Sequence, residues 1–167
     1  MRQIVRANLV IGISGQTTLN GRSNGLSSPA DRRNFHAMRQ QFDVILIGGQ
    51  TARTEPYQKT PIPLVVISRS ASIPEPLKIN PMLNWWQLSP ELAIGKCQKE
   101  FGEKVLIEGG ANLVLAALPW ITELSLTRSA ISEGENKLEV SKLIQNFELI
   151  SEELTPDEKF QLYKRAN

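Results

Sequence analysis

The segment from Lys104 to Trp120, KVLIEGGANLVLAALPW, constrains the fold more than any other, because its backbone periodicity changes at a pair of glycines. Val105, Leu106 and Ile107 form the short apolar run of a strand buried on both faces. Beyond Gly109 and Gly110, the residues Leu113, Val114, Ala117 and Leu118 recur at helical spacing until Pro119 stops the helix. The pattern predicts a strand, a glycine turn and a helix. Glycines at such a turn let the backbone approach a ligand closely, and the N–H groups of a first helical turn, at the positive end of the helix dipole, suit a phosphate. Glu108 stands at the C-terminal end of the strand, the edge where open α/β sheets bind ligands. A purely structural turn accounts for the same residues equally well.

At 167 residues the chain is long enough to bury a real core, and one domain spanning 1–167 is expected. A hydrophobic content of 41% with 22% charged residues excludes a disordered class. The formal net charge of +2, without a long Lys/Arg run, gives no electrostatic reason to expect nucleic acid as a partner. Cys97 is the only cysteine, which excludes an internal disulfide and a Cys-based zinc cluster; no metal site is expected. Ala7 to Ile13 is too short for a signal peptide, and no later run approaches the ~18 apolar residues of a membrane span, so the expected location is cytoplasmic, without a membrane partner.

Taken in order, Ile4–Ile13 reads as the first strand and the glycine-rich stretch Ser14–Ser28 as a long functional loop. Ser28 then caps a helix running to about Gln41, with Pro29 at its first position and an apolar face of Phe35, Met38 and Phe42. His36 on that helix is the only histidine, which excludes His-based triads; a structural role is expected, with catalysis as the alternative. Asp43–Gly49 and Pro63–Ser68 read as buried strands, the first ending in a second glycine pair. Thr51 and Glu55 follow in a loop, where a hydroxyl and a carboxylate suit the sugar or phosphate of a nucleotide. Ser70–Asn84 reads as a surface connection, and Trp85 and Trp86 as a short strand placing a ring in the core. Pro90–Gly102 reads as a helix capped by Ser89, carrying an inert Cys97. Three strands are expected after the organising helix, at Ile121–Thr127, Phe147–Ser151 and Phe160–Arg165. Strand–helix alternation followed by consecutive strands implies an α/β fold whose mixed sheet has an antiparallel edge.

The block SSPADRRNFHAMRQQFDVILIGGQTARTEPY, Ser27 to Tyr57, together with VLIEGGANL and the later ITELSLT, resembles the reductase domain of the riboflavin-biosynthesis deaminase-reductase family. The resemblance implies a three-layer αβα, dihydrofolate-reductase-like fold, mostly parallel with an antiparallel C-terminal edge, in a homodimer. It implies NADPH as cofactor and, as substrate, an aminopyrimidine ribose 5'-phosphate whose ribosyl group is reduced to ribityl by hydride transfer. Carried over by position, Ser23 and Arg39 hold the substrate, and Glu108 meets it as the catalytic carboxylate. Gly25, Gly48, Thr51, Glu55, Ser68 and Gly109 line the cofactor site, and Gly110, Ala111, Asn112 and Leu113 wrap its phosphates. Ser14 and Gln16 stand where the family pattern has an acidic and a basic residue, which implies slow turnover or another pyrimidine- or pterin-like substrate. Lys59 is the nearest cation to a further substrate arginine of the family.

Overall fold

Runs of Val, Ile and Leu too short for helices become the parallel strands at the centre of the sheet, and the segments with a cap and helical spacing become the helices that cover it. The computed structural model describes residues 2–167. Its strands are β1 (Ile4–Ile11), β2 (Gln16–Thr18), β3 (Val44–Gly48), β4 (Leu64–Ile67), β5 (Leu83–Trp86), β6 (Lys104–Ile107), β7 (Glu123–Ser129), β8 (Glu135–Lys137), β9 (Phe147–Leu154) and β10 (Glu158–Arg165). The helices are α1 (Pro29–Arg39), α2 (Gly49–Thr54), α3 (Pro90–Glu100), α4 (Ala111–Ala117) and α5 (Val140–Ile144).

Eight strands form one sheet in the order β5-β4-β3-β6-β1-β7-β10-β9. The first six of that order are parallel, while β10 runs antiparallel to β7 and β9 antiparallel to β10, the mixed sheet with an antiparallel edge that the sequence predicts. β6 lies between β3 and β1, so the chain ends of three parallel strands emerge side by side along one edge.

One core packs Val5, Ala7, Leu9 and Ile11 of β1 with inward residues of β3, β6 and β7 against α3, α4 and Leu143 of α5. On the opposite face, Ile45, Ile47, Leu64 and Val66 pack against Ala52 of α2, Tyr57 and Leu77. Trp85 and Trp86 divide between the two cores, and Trp86 also stacks on Phe101 with centroids 6.2 Å apart. Cys97 is fully buried and its thiol is pushed up to about 12 by that burial, which leaves it inert.

α1 departs from its apolar reading. Phe35 and Met38 are only half-buried, and the helix residues most removed from water are Asp31 and Arg39. Ser28 caps the helix by accepting the Asp31 N–H at 3.0 Å. The Asp31 carboxylate in turn accepts from Thr127 Oγ1 at 2.6 Å and Ser27 Oγ at 2.5 Å, so the start of the helix is pinned to β7 by hydrogen bonds rather than by grease. Four of these elements, β2, β8, α2 and α5, are absent from the sequence reading. β2, inside the segment that reads as loop, and β8, in a segment the sequence reading leaves unassigned, pair antiparallel across more than a hundred residues, because three-residue strands such as QTT and ENK show no alternation. α2 occupies the expected Thr51–Glu55 loop, six residues being too short to reveal a period.

The predicted first strand stops at Ile11 because the Gly12 N–H turns to the Gln16 carbonyl at 2.8 Å. Gly15 completes that turn in the left-handed region at φ +89°, where a Cβ would stand 2.1 Å from the Leu138 carbonyl oxygen. Gly15→Ala is therefore expected to destabilise the protein by at least about 2 kcal/mol, combining left-handed strain with a backbone clash. A lower denaturant midpoint at unchanged m-value is the measurement.

Candidate functional site

The parallel strands open onto a cleft of about 860 Å³ at the chain ends of β3 and β6, with Asn8 and Val10 of β1 in its wall. A volume of that size is ordinary for a small-molecule or cofactor site. Segment 21–24 and the facing side of α1 form one bank, and the glycine exits after β3 and β6 form the other.

At its floor, Glu108 is removed from water at the end of β6, with 4% of its surface exposed. Arg39, at the end of α1, meets it in a fork, Nε to Oε1 at 2.8 Å and Nη2 to Oε2 at 2.8 Å. Tyr57 donates its hydroxyl to the same Oε2 at 2.9 Å. Three donors facing two oxygens suit an ionised carboxylate. Burial pushes the Glu108 carboxyl upward, opposed by the hydrogen bonds and charge of Arg39 and by Tyr57. Burial alone would lower Arg39, but the hydrogen bonds and charge of Glu108 outweigh it and the guanidinium stays protonated. Tyr57 is held well above its ordinary range by burial and by the adjacent carboxylate. The guanidinium also lies 4.4 Å over the Phe35 ring and 5.3 Å from the Tyr57 ring, so the pair is enclosed by aromatic faces.

Hydrogen bonds between distant segments brace the cleft, one within the glycine bank and one pair between the banks. Thr51 Oγ1 accepts the Gly110 N–H at 2.8 Å, joining the two glycine exits. Glu55 Oε1 accepts both the N–H and the hydroxyl of Ser23, at 2.7 and 3.0 Å, joining the loop after β2 to the end of α2. Gly109 adopts φ +75° with no atom within 4 Å of where a Cβ would stand, so bare backbone faces the cleft.

The RibD C-terminal domain family matches residues 3–119, which include every residue lining the cleft except Asn136. The chain belongs to that family. No curated protein sequence matches the chain. Among solved structures it is similar to a diaminohydroxyphosphoribosylaminopyrimidine deaminase/5-amino-6-(5-phosphoribosylamino)uracil reductase from Thermotoga maritima, with 15% identity and a TM-score of 0.77 over 99% of this chain. The same holds for Acinetobacter baumannii RibD, with 17% identity, a TM-score of 0.77 and 99% coverage of this chain. The chain spans 57% and 58% of the lengths of those two proteins. A pyrimidine reductase-like protein from Corynebacterium diphtheriae shows 19% identity and a TM-score of 0.75, covering 99% of this chain and 92% of its own. Likeness at these identities establishes the fold.

Within this RibD-type domain, the structure brings together at the cleft Ser23, Arg39, Gly48, Thr51, Glu55, Glu108 and the run Gly109, Gly110, Ala111, Asn112 and Leu113. It does not bring Gly25, Ser68 or Lys59 there. Gly25 faces the Leu19 side chain, and Ser68 packs behind Gly49, where its Oγ lies 2.7 Å from where a Cβ would stand. Lys59 is exposed outside the cleft. Arg39 lines the cleft with two of its donors forked onto Glu108. Ser14 is exposed away from the cleft, and its N–H is held at 2.8 Å by the buried carboxamide of Gln16. The carboxylates that do line the cleft are Asp31, Glu55 and Glu108. Tyr57 and Asn8 were missed. Tyr57 ends the block that carries the family resemblance, but a single Tyr after Pro56 gives no sign of facing a strand end 51 residues on. Among the described residues, no helix is long and apolar enough to cross a membrane.

Two outcomes follow from the floor. Arg39→Ala is expected to cost about 3–5 kcal/mol of stability by stranding a buried carboxylate, and the double change Arg39→Met/Glu108→Leu to recover much of it; urea unfolding of the variants decides this. In alkali, the unfolded chain releases its tyrosine protons near the ordinary value of 10.0 while native Tyr57 keeps its own. The unfolded state then binds fewer protons than the native one, so stability falls as pH rises above that value. Tyr57→Phe is expected to flatten this alkaline slope, read from melting temperatures across the range, with Tyr163→Phe as the comparison for the other raised tyrosine.

Proposed function

We propose that this domain is an NADPH-dependent reductase of the riboflavin pathway that converts the ribosyl group of an aminopyrimidine ribose 5'-phosphate to a ribityl chain. The observation that carries the reading is the meeting of both glycine exits, Gly48–Gly49 and Gly109–Gly110, on one cleft whose floor is a buried carboxylate. The residues fit a dinucleotide. Gly109 leaves open space where a side chain would project, and Gly48 meets only Leu113, at 3.7 Å from where a Cβ would stand. Gly48, Gly49, Thr51 and the run from Gly109 to Leu113 would hold the cofactor. When bound, a reduced nicotinamide supplies the hydride, and the protein supplies orientation, dryness and electrostatics.

The chain's own contributions follow from the floor. Glu108 is held by three donors from two directions, so it has little reorganisation to undergo when a substrate arrives. A carboxylate in that position favours the positively charged form of an imine, the form more open to hydride attack. Tyr57 keeps its proton and acts as a fixed donor to Glu108 rather than as an acid toward substrate. Asn8 and Ser23 line the walls with groups able to orient a pyrimidine or a ribityl hydroxyl.

Binding is separable from turnover. NADPH at ~100 times its dissociation constant is expected to stabilise the protein by about 2.7 kcal/mol. Gly48→Val should abolish that shift while leaving the fold intact, because Gly48 has extended backbone at φ −89° that a branched residue adopts. Absence of any thermal shift with millimolar NADPH or NADH would overturn the reading. Binding of NADPH without oxidation in the presence of the aminopyrimidine ribose phosphate would limit the domain to nucleotide binding.

A further inference from the structure

Reduction of a ribosyl group consumes a proton as well as a hydride, and few side chains of the cleft can release one. The guanidiniums stay charged near neutrality. Tyr57 is held well above its ordinary range, and the Glu108 carboxylate is engaged by Arg39 and Tyr57. Asp31 faces the hydroxyls of Ser27 and Thr127, and Glu55 that of Ser23. His36, the one histidine of the chain, is placed differently. It stands in the last turn of α1 and lines the cleft, three residues before Arg39 and so on the same side of the helix. Its ring is exposed, meets the Phe35 ring edge to face at 5.7 Å, and makes no hydrogen bond among the described residues. Burial raises the Glu108 carboxyl, and the positive charge of His36 joins Arg39 and Tyr57 in opposing that rise. Imidazole is the side chain that ordinarily takes up and gives up a proton near neutrality.

We infer that His36 is a catalytic general acid, giving its proton to the ribose ring oxygen as the sugar ring opens above Glu108. This deepens the reductase reading and rests on it for the identity of the substrate. The C1'–O4' bond breaks, and its electron pair on O4' takes the imidazolium proton. The lone pair of the exocyclic nitrogen forms a double bond to C1', and the positive charge that results is met by the Glu108 carboxylate. C1' then accepts the hydride of the reduced nicotinamide, and the double-bond pair returns to nitrogen as the ribitylamine. One hydride and one proton are consumed, and the exposed imidazole regains its proton from water.

Ring opening needs no cofactor, so it is tested alone. Wild type is expected to speed the interconversion of the α and β anomers of the aminopyrimidine ribose 5'-phosphate, followed by NMR without NADPH. His36→Gln is expected to lose that acceleration about tenfold or more, and added imidazole to restore part of it. With NADPH present, kcat of wild type should fall as pH rises, and this alkaline limb should be missing in His36→Gln. Around His36, the variant retains Arg32 and Arg39 of α1, Arg22 of the loop, Glu55 and Tyr57 after α2 and Glu108 of β6, so the limb that disappears belongs to the imidazole. No acceleration by wild type, or a His36→Gln variant equal to wild type in anomer exchange or keeping the alkaline limb, would overturn the assignment. His36-dependent anomer exchange by a protein that never oxidises NADPH would sustain the acid and sink the reductase reading instead.

Discussion

A carboxylate withdrawn from water at the end of a central strand has to be met by donors, and the structure around the cleft depends on how Glu108 is met. The fork from Arg39 brings the last turn of α1 to the end of β6, while the hydroxyl of Tyr57 brings in the segment after α2. Two elements far apart in sequence are thereby set against one strand end. Removing either ion alone would leave the other stranded in low dielectric, which is far more costly than the net worth of the pair. Phe35 and Tyr57 enclose the guanidinium, so the charge pair is shielded from water that would otherwise loosen it.

The same economy of polar contacts shapes the rest of the site. Asp31 fastens the start of α1 to Thr127, and Arg39 fastens its end, so the helix is hung on the sheet by two polar pins. Thr51 joins the two glycine exits through the Gly110 N–H, and Glu55 crosses the cleft to the Ser23 N–H. Residues that a family resemblance assigns to ligands therefore have structural partners in the protein itself. The two roles are compatible where a group has capacity left over, as a threonine hydroxyl does, and compete where it does not.

The glycine pairs show why a motif and its physical cause have to be kept apart. Gly48–Gly49 and Gly109–Gly110 look alike in sequence. Gly49 is small because Ser68 stands behind it, whereas Gly109 is glycine because its backbone is left-handed and faces open space. Both pairs reach the cleft, yet only the second has the conformation that demands glycine.

Much of the frame was legible from the chain alone. The apolar runs at β1, β3, β4 and β6, the Ser28 and Ser89 caps and the antiparallel edge follow from periodicity, local propensity and element order, which belong to a segment whatever its neighbours do. Glu108 at a strand's C-terminal end could be named as a site residue for the same reason. Tertiary structure alone decided the rest. β2 and β8 exist only because Gln16 meets Lys137 and Thr18 meets Glu135, and neither segment is a strand without the other. The partnership of Arg39 with Glu108 joins residues 69 positions apart, and the sequence showed a charge of each sign without showing that each would be the other's partner. A local pattern records which residues avoid water; which polar group answers which is settled only when strands and helices are packed and every buried donor and acceptor must find its match.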